Sequence, residues 1–276
     1  MLVVACTPAD EVSTGGAAAT GGTIQTAEDT DLSLHSQFAL TETELDGIVA
    51  GLPDESAAAI RGNPVQFLDN VAVLLQADRS VLTLVDKDNL LPAEFEPDDL
   101  VPLSTFADRL TLNRDELSLR SPLMPDLLAM VDDAAADGVT LDISSSYRSY
   151  TYQEWLFQYW VEELGLEEAE RVSARPGSSQ HQLGTTVDFG SVTAAFADHP
   201  AGIWLAENAW RYGFSLSYPD GYEALTGYAY EPWHYRWITP AGTRLEREFF
   251  GGIQQVMLEF FARHGASLRR ASIRSQ

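Results

Sequence analysis

Residues 176–189, Pro-Gly-Ser-Ser-Gln-His-Gln-Leu-Gly-Thr-Thr-Val-Asp-Phe, decide the fold because they join a turn to an apolar strand. The Pro-Gly-Ser-Ser opening is typical of a turn, and a strand is predicted over 184–189. Asp188 lies in that strand between Val187 and Phe189, where a carboxylate is costly unless it is paired or bound to a metal. His181, seven residues earlier, belongs to the residue type that most often binds metals.

A second stretch, Tyr-Glu-Pro-Trp-His-Tyr-Arg-Trp at 230–237, adds another histidine and a carboxylate. His234 with His181 and Asp188 would supply three nitrogen or oxygen ligands, which suits an open zinc site with water in the fourth place. Glu231, three residues before His234, is then a spare carboxylate suited to act as a general base. Spacing alone leaves a second interpretation open, in which the histidines are ordinary core residues and Asp188 is salt-bridged.

Three sequence blocks, in order along the chain, carry a resemblance to a known family. They are Ser146-Tyr147-Arg148-Ser149 with Gln153, the Ser-x-His-x-x-Gly-x-x-x-Asp pattern from Ser179 to Asp188, and the Glu-Pro-Trp-His-x-Arg pattern from Glu231 to Arg236. Together they resemble the VanY-type D-alanyl-D-alanine carboxypeptidases, which are zinc peptidases of the M15 family and include L,D-carboxypeptidases. The resemblance runs from about residue 80 to about residue 250, and the proline-rich segment 86–101 also resembles that family.

The resemblance implies a zinc site and a general base. His181, Asp188 and His234 would bind Zn²⁺. Glu231 would take the proton from the zinc-bound water and later give it to the leaving amine. Zinc chemistry of this kind lowers the pKa of the water toward about 7 and polarises the carbonyl.

The resemblance also implies residues that contact the substrate. Arg148 would be catalytic and substrate-binding, close to the scissile carbonyl or the terminal carboxylate, because a planar guanidinium suits either group. Gln153 and Ser179 are further candidates for substrate binding, and a structural role for each stays open.

An α+β fold is predicted, because helices and a few short strands alternate irregularly. Helices are predicted over 42–78, 122–137, 150–164, 167–174 and 201–212, and strands over 81–85, 140–144, 184–189 and 233–238. The resemblance implies a small mixed or antiparallel sheet flanked by helices, of the hedgehog/D,D-peptidase type, with the zinc site on the sheet. The aromatic residues of the 150–164 helix, including Trp155 and Tyr159, are expected to lie in the core.

The chain divides into four predicted segments: a lipobox-like end with a flexible tether (1–30), a helical extension (31–79), a zinc peptidase domain (80–255), and a C-terminal helix with a basic tail (256–276). Cys6 follows Met-Leu-Val-Val-Ala, which resembles the end of a bacterial lipoprotein signal, and precedes a Gly- and Ala-rich stretch typical of a tether. We therefore expect lipidation at Cys6 and an extracytoplasmic location, anchored at the cell envelope.

Composition excludes several classes of partner. The 276 residues carry 17 Lys and Arg against 41 Asp and Glu, a net charge of −24. Such a charge argues against nucleic acid and against electrostatic docking on anionic membranes, so contact with the membrane is expected only through a lipid anchor. The single cysteine excludes an intramolecular disulfide. We expect a monomer.

The predicted function is removal of the C-terminal D-Ala from peptidoglycan stem peptides. Four alternatives stay open: an L,D-carboxypeptidase acting on tetrapeptides, an endopeptidase on cross-bridges, a non-catalytic zinc-containing peptidoglycan-binding module, and a domain without metal. The zinc motif is shared by D,D- and L,D-cleaving relatives, so the motif does not distinguish the predicted D,D-carboxypeptidase from an L,D-carboxypeptidase. An intact Glu231 argues against the binding module.

Overall fold

A computed structural model describes residues 33–272 of the chain. Cys6, the predicted tether and the last four residues of the predicted basic tail lie outside the described residues. Within 33–272, every helix is too short or too polar to cross a membrane.

Helices and short strands alternate along the chain, as expected for an α+β protein. In chain order they are α1 (Glu42–Val49), α2 (Asp54–Gly62), α3 (Pro64–Leu74), β1 (Leu100–Pro102), β2 (Thr111–Leu112), β3 (Ser118–Arg120), α4 (Met124–Ala136), β4 (Asp142–Ser145), α5 (Tyr150–Leu164), α6 (Leu166–Val172), β5 (Thr186–Phe189), α7 (Pro200–Asn208), β6 (Phe214–Leu216), α8 (Glu223–Thr226), β7 (His234–Trp237), α9 (Thr239–Phe249) and α10 (Gln254–Ala271). Short 3₁₀ turns connect several of them.

Five strands form a mixed sheet in the order β2-β4-β5-β7-β6. The β2–β4 pair is parallel and the other pairs are antiparallel. A separate antiparallel pair joins β1 to β3. This architecture confirms the predicted fold class, a small mixed sheet flanked by helices.

The register of the central strands brings chemistry-bearing residues side by side. Asp188 of β5 faces His234 of β7, and on the other edge of β5 Asp188 faces Ser145 of β4. Directly opposed residues of antiparallel strands have Cβ atoms about 5 Å apart. The sheet therefore places Ser145, Asp188 and His234 in one row.

One hydrophobic core joins the N-terminal helices to the C-terminal ones. Phe67 of α3 packs edge-on against Phe249 of α9 and Phe260 of α10, with ring centroids 5.3 and 5.9 Å apart. Helix α1 begins with a capping box, in which Thr41 and Glu44 bond to each other's backbone amides. The helices predicted over 42–78 are confirmed, and they pack on the last two helices of the chain.

Two predictions from local pattern are wrong. The run 81–85 is a 3₁₀ turn (Arg79–Leu82) followed by irregular backbone, because the carbonyls of Val81 and Thr83 accept hydrogen bonds from the buried Arg236 guanidinium, at 3.0 and 2.8 Å. The aromatic residues of α5 are also not core: Trp155 is 61% exposed and Tyr159 43% exposed.

Candidate metal centre and active site

Three buried ligand residues meet at the centre of the sheet. One ligand atom from each of His181, Asp188 and His234 lies within 4.8 Å of the others. Asp188 Oδ2 is 3.2 Å from His181 Nε2, and Asp188 Oδ1 is 3.2 Å from His234 Nδ1. The strand register positions Asp188 and His234, and a 3₁₀ turn (Gln180–Leu183) directly before β5 positions His181.

That turn ends at Gly184, which adopts a left-handed conformation with φ of +68°. A Cβ atom at this position would lie 3.0 Å from the side chains of Arg120 and Leu100. Glycine is therefore required here both for the backbone angle and for the space. The glycine of the sequence motif lets the chain reverse from His181 into β5.

Hydrogen bonds on the outer side of each imidazole fix which nitrogen faces the centre. His181 Nδ1 lies 2.6 Å from the Ser146 carbonyl, so Nδ1 carries the proton and Nε2 presents its lone pair inward. His234 has the opposite arrangement, because its Nε2 lies 3.3 Å from Gln180 Oε1 and its Nδ1 faces inward. Partners of this kind orient metal-bound histidines in proteins.

The residues fit a metal ion. His181 Nε2 and Asp188 Oδ1 are buried and have no hydrogen-bond partner among the described residues, although each lies close to a neighbouring ligand atom. Unpartnered buried polar atoms are rare and call for an explanation. Two imidazole nitrogens and one carboxylate oxygen are the donor set of open zinc sites, so a zinc ion would satisfy both orphaned atoms.

The electrostatics favour a cation at this centre. Burial opposes ionisation of Asp188, yet the two imidazoles hold the pKa of this carboxyl well below its usual range. Burial also opposes protonation of His234, but the Asp188 and Glu231 carboxylates, each with an oxygen 3.2 Å from its Nδ1, raise its pKa to about 9. Burial and the nearby Arg148 guanidinium lower the pKa of His181 to about 4. The carboxylates thus stabilise positive charge beside His234.

Glu231 lies beside the ligand cluster. Its Oε2 is 3.2 Å from His234 Nδ1, and its backbone amide donates to the Tyr218 carbonyl at 3.1 Å. Burial raises the pKa of Glu231 above its ordinary value, and the neighbouring His234 partly offsets this. A carboxyl with a raised pKa is well suited to accept and return a proton.

Arg148 reaches the cluster from the loop between β4 and α5. Its Nη2 donates to Asp188 Oδ2 at 3.1 Å, its Nη1 to Gln153 Oε1 at 2.9 Å and its Nε to Ser145 Oγ at 3.2 Å. Gln153 is buried and its amide nitrogen donates to the Ala174 carbonyl at 2.7 Å. Both polar atoms of Gln153 are therefore engaged, which makes it a support for Arg148.

A cavity of about 820 Å³ opens over the cluster. Its wall includes all three ligand residues, Glu231, Arg148 and Ser179, whereas Gln153 lies behind it. Ser179 is buried, with 3% exposure. The predicted site residues are thus brought together, with Gln153 in the supporting layer.

Sequence reasoning missed a buried polar network behind His234. Gln180 Oε1 accepts from Ser217 Oγ at 2.7 Å, and Gln180 Nε2 donates to Gln254 Oε1 at 3.3 Å. Gln254 Nε2 in turn donates to the Ser215 carbonyl at 3.4 Å. Gln180 sits between the Ser and His of the quoted motif, but Ser217 and Gln254 lie far along the chain, with no local signal that marks them.

A buried His-Asp-His cluster on a small mixed sheet, with a carboxylate and a guanidinium beside it, is the kind of site that metal-dependent hydrolases use. Residues 116–240 match the family model described as VanY, D-alanyl-D-alanine carboxypeptidase. A D-alanyl-D-alanine carboxypeptidase of Enterococcus faecalis is 34% identical over 167 residues, which cover 57% of this chain and 58% of that protein.

Two solved structures show the same fold. The LdcB LD-carboxypeptidase is 31% identical, with a TM-score of 0.57, over 66% of this chain and 86% of that one. A vancomycin resistance D,D-pentapeptidase VanY variant, in complex with Zn(II), is 28% identical, with a TM-score of 0.55, over 66% of this chain and 99% of that one. The chain belongs to the VanY family of D-alanyl-D-alanine carboxypeptidases. It spans between about a third and about two thirds of the length of the first curated relatives that it matches.

Proposed function

We propose that the chain is a zinc-dependent D,D-carboxypeptidase that removes the C-terminal D-Ala from peptidoglycan stem peptides. The observation that carries the proposal is the buried His181, Asp188 and His234 cluster with Glu231 3.2 Å from one of its ligands. The zinc-bound D,D-pentapeptidase of the same fold, and a neighbouring structure of VanYB with D-alanine-D-alanine, support both the metal and the substrate class.

The chemistry divides among five side chains. A zinc ion held by His181, Asp188 and His234 would polarise the scissile carbonyl and lower the pKa of water. Glu231 accepts the proton of the attacking water at its carboxylate and returns it to the leaving amine nitrogen, for which its raised pKa is suited. Arg148 offers a planar fork to the terminal carboxylate or to the developing oxyanion.

The supporting residues hold these groups in place. Gln153 and Ser145 fix two edges of the Arg148 guanidinium, so this side chain is pre-oriented before substrate arrives. Ser179, on the cavity wall, is positioned to bond the substrate backbone. Pre-orientation of this kind lowers the entropic cost of reaching the transition state.

The test uses the full chain with defined peptides. A pentapeptide ending in D-Ala-D-Ala and the matching tetrapeptide ending in one D-Ala are incubated with and without a chelator, and products are read by mass spectrometry. We expect loss of one D-Ala from the pentapeptide, abolished by the chelator, restored by Zn²⁺ and absent in Glu231→Gln. Full activity in metal-free protein would overturn the zinc mechanism.

One observation favours a second candidate function. The LdcB LD-carboxypeptidase aligns with a TM-score of 0.57, and cleavage of tetrapeptides would use the same metal cluster. In the same assay, loss of D-Ala from the tetrapeptide alone would assign the chain as an L,D-carboxypeptidase. Cleavage of neither peptide by zinc-loaded protein would favour an endopeptidase or a binding role.

Action on stem peptides implies a place outside the cytoplasm, where peptidoglycan is found. Lipidation of Cys6 would hold the chain at the membrane while the tether lets the catalytic part reach the wall. Globomycin treatment of producing cells, or mass spectrometry of the N-terminal peptide, tests this anchor.

A further inference from the structure

Helix α5 carries a row of aromatic rings that the core does not use. Of its 15 residues only Gln153 is buried. Four rings follow one another along the helix, with centroids 5.7, 6.2 and 5.2 Å apart: Tyr152, Trp155, Tyr159 and Trp160. We call these four residues the aromatic row. Trp155 is 61% exposed, Tyr159 43% and Tyr152 39%.

The aromatic row is continuous with the cavity over the metal cluster. Tyr152 and Trp160, at its two ends, line that cavity together with Leu156. Trp155 and Tyr159 lie outside the cavity wall, and their rings are nearly parallel, at 23°. A contiguous exposed apolar surface at the mouth of a site marks a place where something binds.

The surroundings of the row select the kind of ligand. Glu154, Gln158 and Glu162 border the rings on the same helix, and Gln158 donates to Glu162 at 3.1 Å. Glu154 and Glu162 carry negative charge on the same helix as the rings, which disfavours anionic polymers and anionic membranes at this surface. Flat aromatic faces bordered by carboxylate and amide groups suit an uncharged sugar, whose C–H face stacks on the ring while its hydroxyls donate to the border.

The dimensions agree with such a ligand. Trp155 and Tyr159, the two rings outside the cavity wall, lie four residues apart, which is about 6 Å along a helix and close to the size of a single pyranose ring. A stem peptide of five residues spans at most about 17 Å, so a peptide whose C-terminal end lies at the metal cluster keeps its glycan end within about that distance of the cluster.

We propose that the aromatic row binds the glycan strand of peptidoglycan and positions glycan-linked stem peptides for cleavage. This inference rests on the proposed function for the substrate class, while the stacking surface itself is independent of turnover. Trp155 and Tyr159 would supply the stacking faces, because they do not line the cavity that receives the peptide.

The experiment compares two substrates that differ only in the sugar. One is the free pentapeptide and the other is the same pentapeptide on a disaccharide. We expect Trp155→Ala and Tyr159→Ala each to raise KM for the disaccharide substrate about three- to tenfold, with KM and kcat for the free peptide unchanged. Tyr222→Ala, which removes a 42% exposed tyrosine outside the cavity wall, is the matched control and should change neither.

A binding measurement keeps the inference independent of catalysis. Titration calorimetry with a peptide-free tetrasaccharide of N-acetylglucosamine should show binding to the original chain and to Tyr222→Ala, and loss of binding in the Trp155→Ala, Tyr159→Ala double variant. If no peptide is cleaved but the saccharide binds, the proposed function fails and the glycan surface stands.

Three outcomes would overturn the inference. The first is equal KM for both substrates in all variants together with no saccharide binding. The second is an equal loss on both substrates in Trp155→Ala, which would mean that the row serves the peptide cavity. The third is that the original chain binds phosphatidylcholine vesicles or self-associates but binds no saccharide, and that Trp155→Ala abolishes the vesicle binding or the self-association.

Discussion

Replacing Gln180 with Leu should weaken zinc binding although Gln180 is not a ligand. Zinc binds the neutral imidazole, and Gln180 Oε1, which accepts from His234 Nε2 at 3.3 Å, favours the neutral form that keeps its proton on Nε2 and leaves Nδ1 free. Without that acceptor the neutral ring favours the proton on Nδ1, where Asp188 Oδ1 and Glu231 Oε2 each lie 3.2 Å away. Zinc must then displace a proton that is held by two carboxylates.

The magnitude follows from the hydrogen bonds lost. A buried donor left unsatisfied costs about 1–3 kcal/mol, and the loss of an outer partner of a metal-bound histidine typically weakens metal affinity 10- to 100-fold. A factor of 10 to 100 is about 1.4 to 2.8 kcal/mol. We therefore expect the Kd for zinc of Gln180→Leu to rise about 10- to 100-fold.

The assay is competition between the protein and a chromogenic chelator for zinc at fixed pH, with urea unfolding of each metal-free variant measured in parallel. Gln255→Leu is the matched control, because Gln255 is also buried but bonds to Asp86 and Glu259, outside the cavity wall. A Kd for Gln180→Leu equal to that of Gln255→Leu would refute the reasoning, and so would a loss that a lower folding stability fully accounts for.

Three further predictions concern the base, the guanidinium and a buried acid. Glu231→Gln should lower kcat about 100- to 10,000-fold with zinc content unchanged, since an amide cannot accept the proton; kcat and bound zinc are measured together, and a drop of less than tenfold would contradict a general base. Arg148→Lys should lower kcat/KM about 10- to 100-fold, because one ammonium cannot replace the planar fork that bonds Gln153 and other partners at once; an unchanged kcat/KM would refute this. Burial raises the pKa of Glu246, which accepts from Ser215 Oγ at 2.9 Å, to about 8. The folded state then keeps a proton that the unfolded state releases above about pH 4.5, so stability falls as pH rises from about 4.5 to about 8. Glu246→Gln should therefore gain on the order of a few kcal/mol at pH 8 and little at pH 4.5, measured by urea unfolding at both values; equal differences at both would count against it.

The sequence predicted those parts of the site that lie within continuous motifs. His181 and Asp188 are joined by a turn and a strand, and a carboxylate in an apolar strand requires a partner, so the pattern itself carries the chemistry. The 150–164 helix was equally predictable, with Ser149 as its cap and Gly165 at its end.

The remainder depends on contacts between distant segments. Strands of two or three residues, such as Thr111–Leu112, are too short for an alternating pattern to show. Gln254, the first residue of α10, reaches the site through hydrogen bonds with Gln180 and with the Ser215 carbonyl of β6, a relation that no local pattern contains. The exposed rings of α5 were mispredicted because aromatic residues at helical spacing usually pack inward.

The pairing of Asp188 with His234 across two strands has a consequence for the order of events during folding. These residues are neighbours only in one register, and a slip of one residue would turn one of them to the opposite face of the sheet. The intervening chain must therefore close into its final arrangement before three ligands exist. Zinc would then bind late in folding, after β5 and β7 have paired. The time at which zinc binds would therefore report when the sheet is complete.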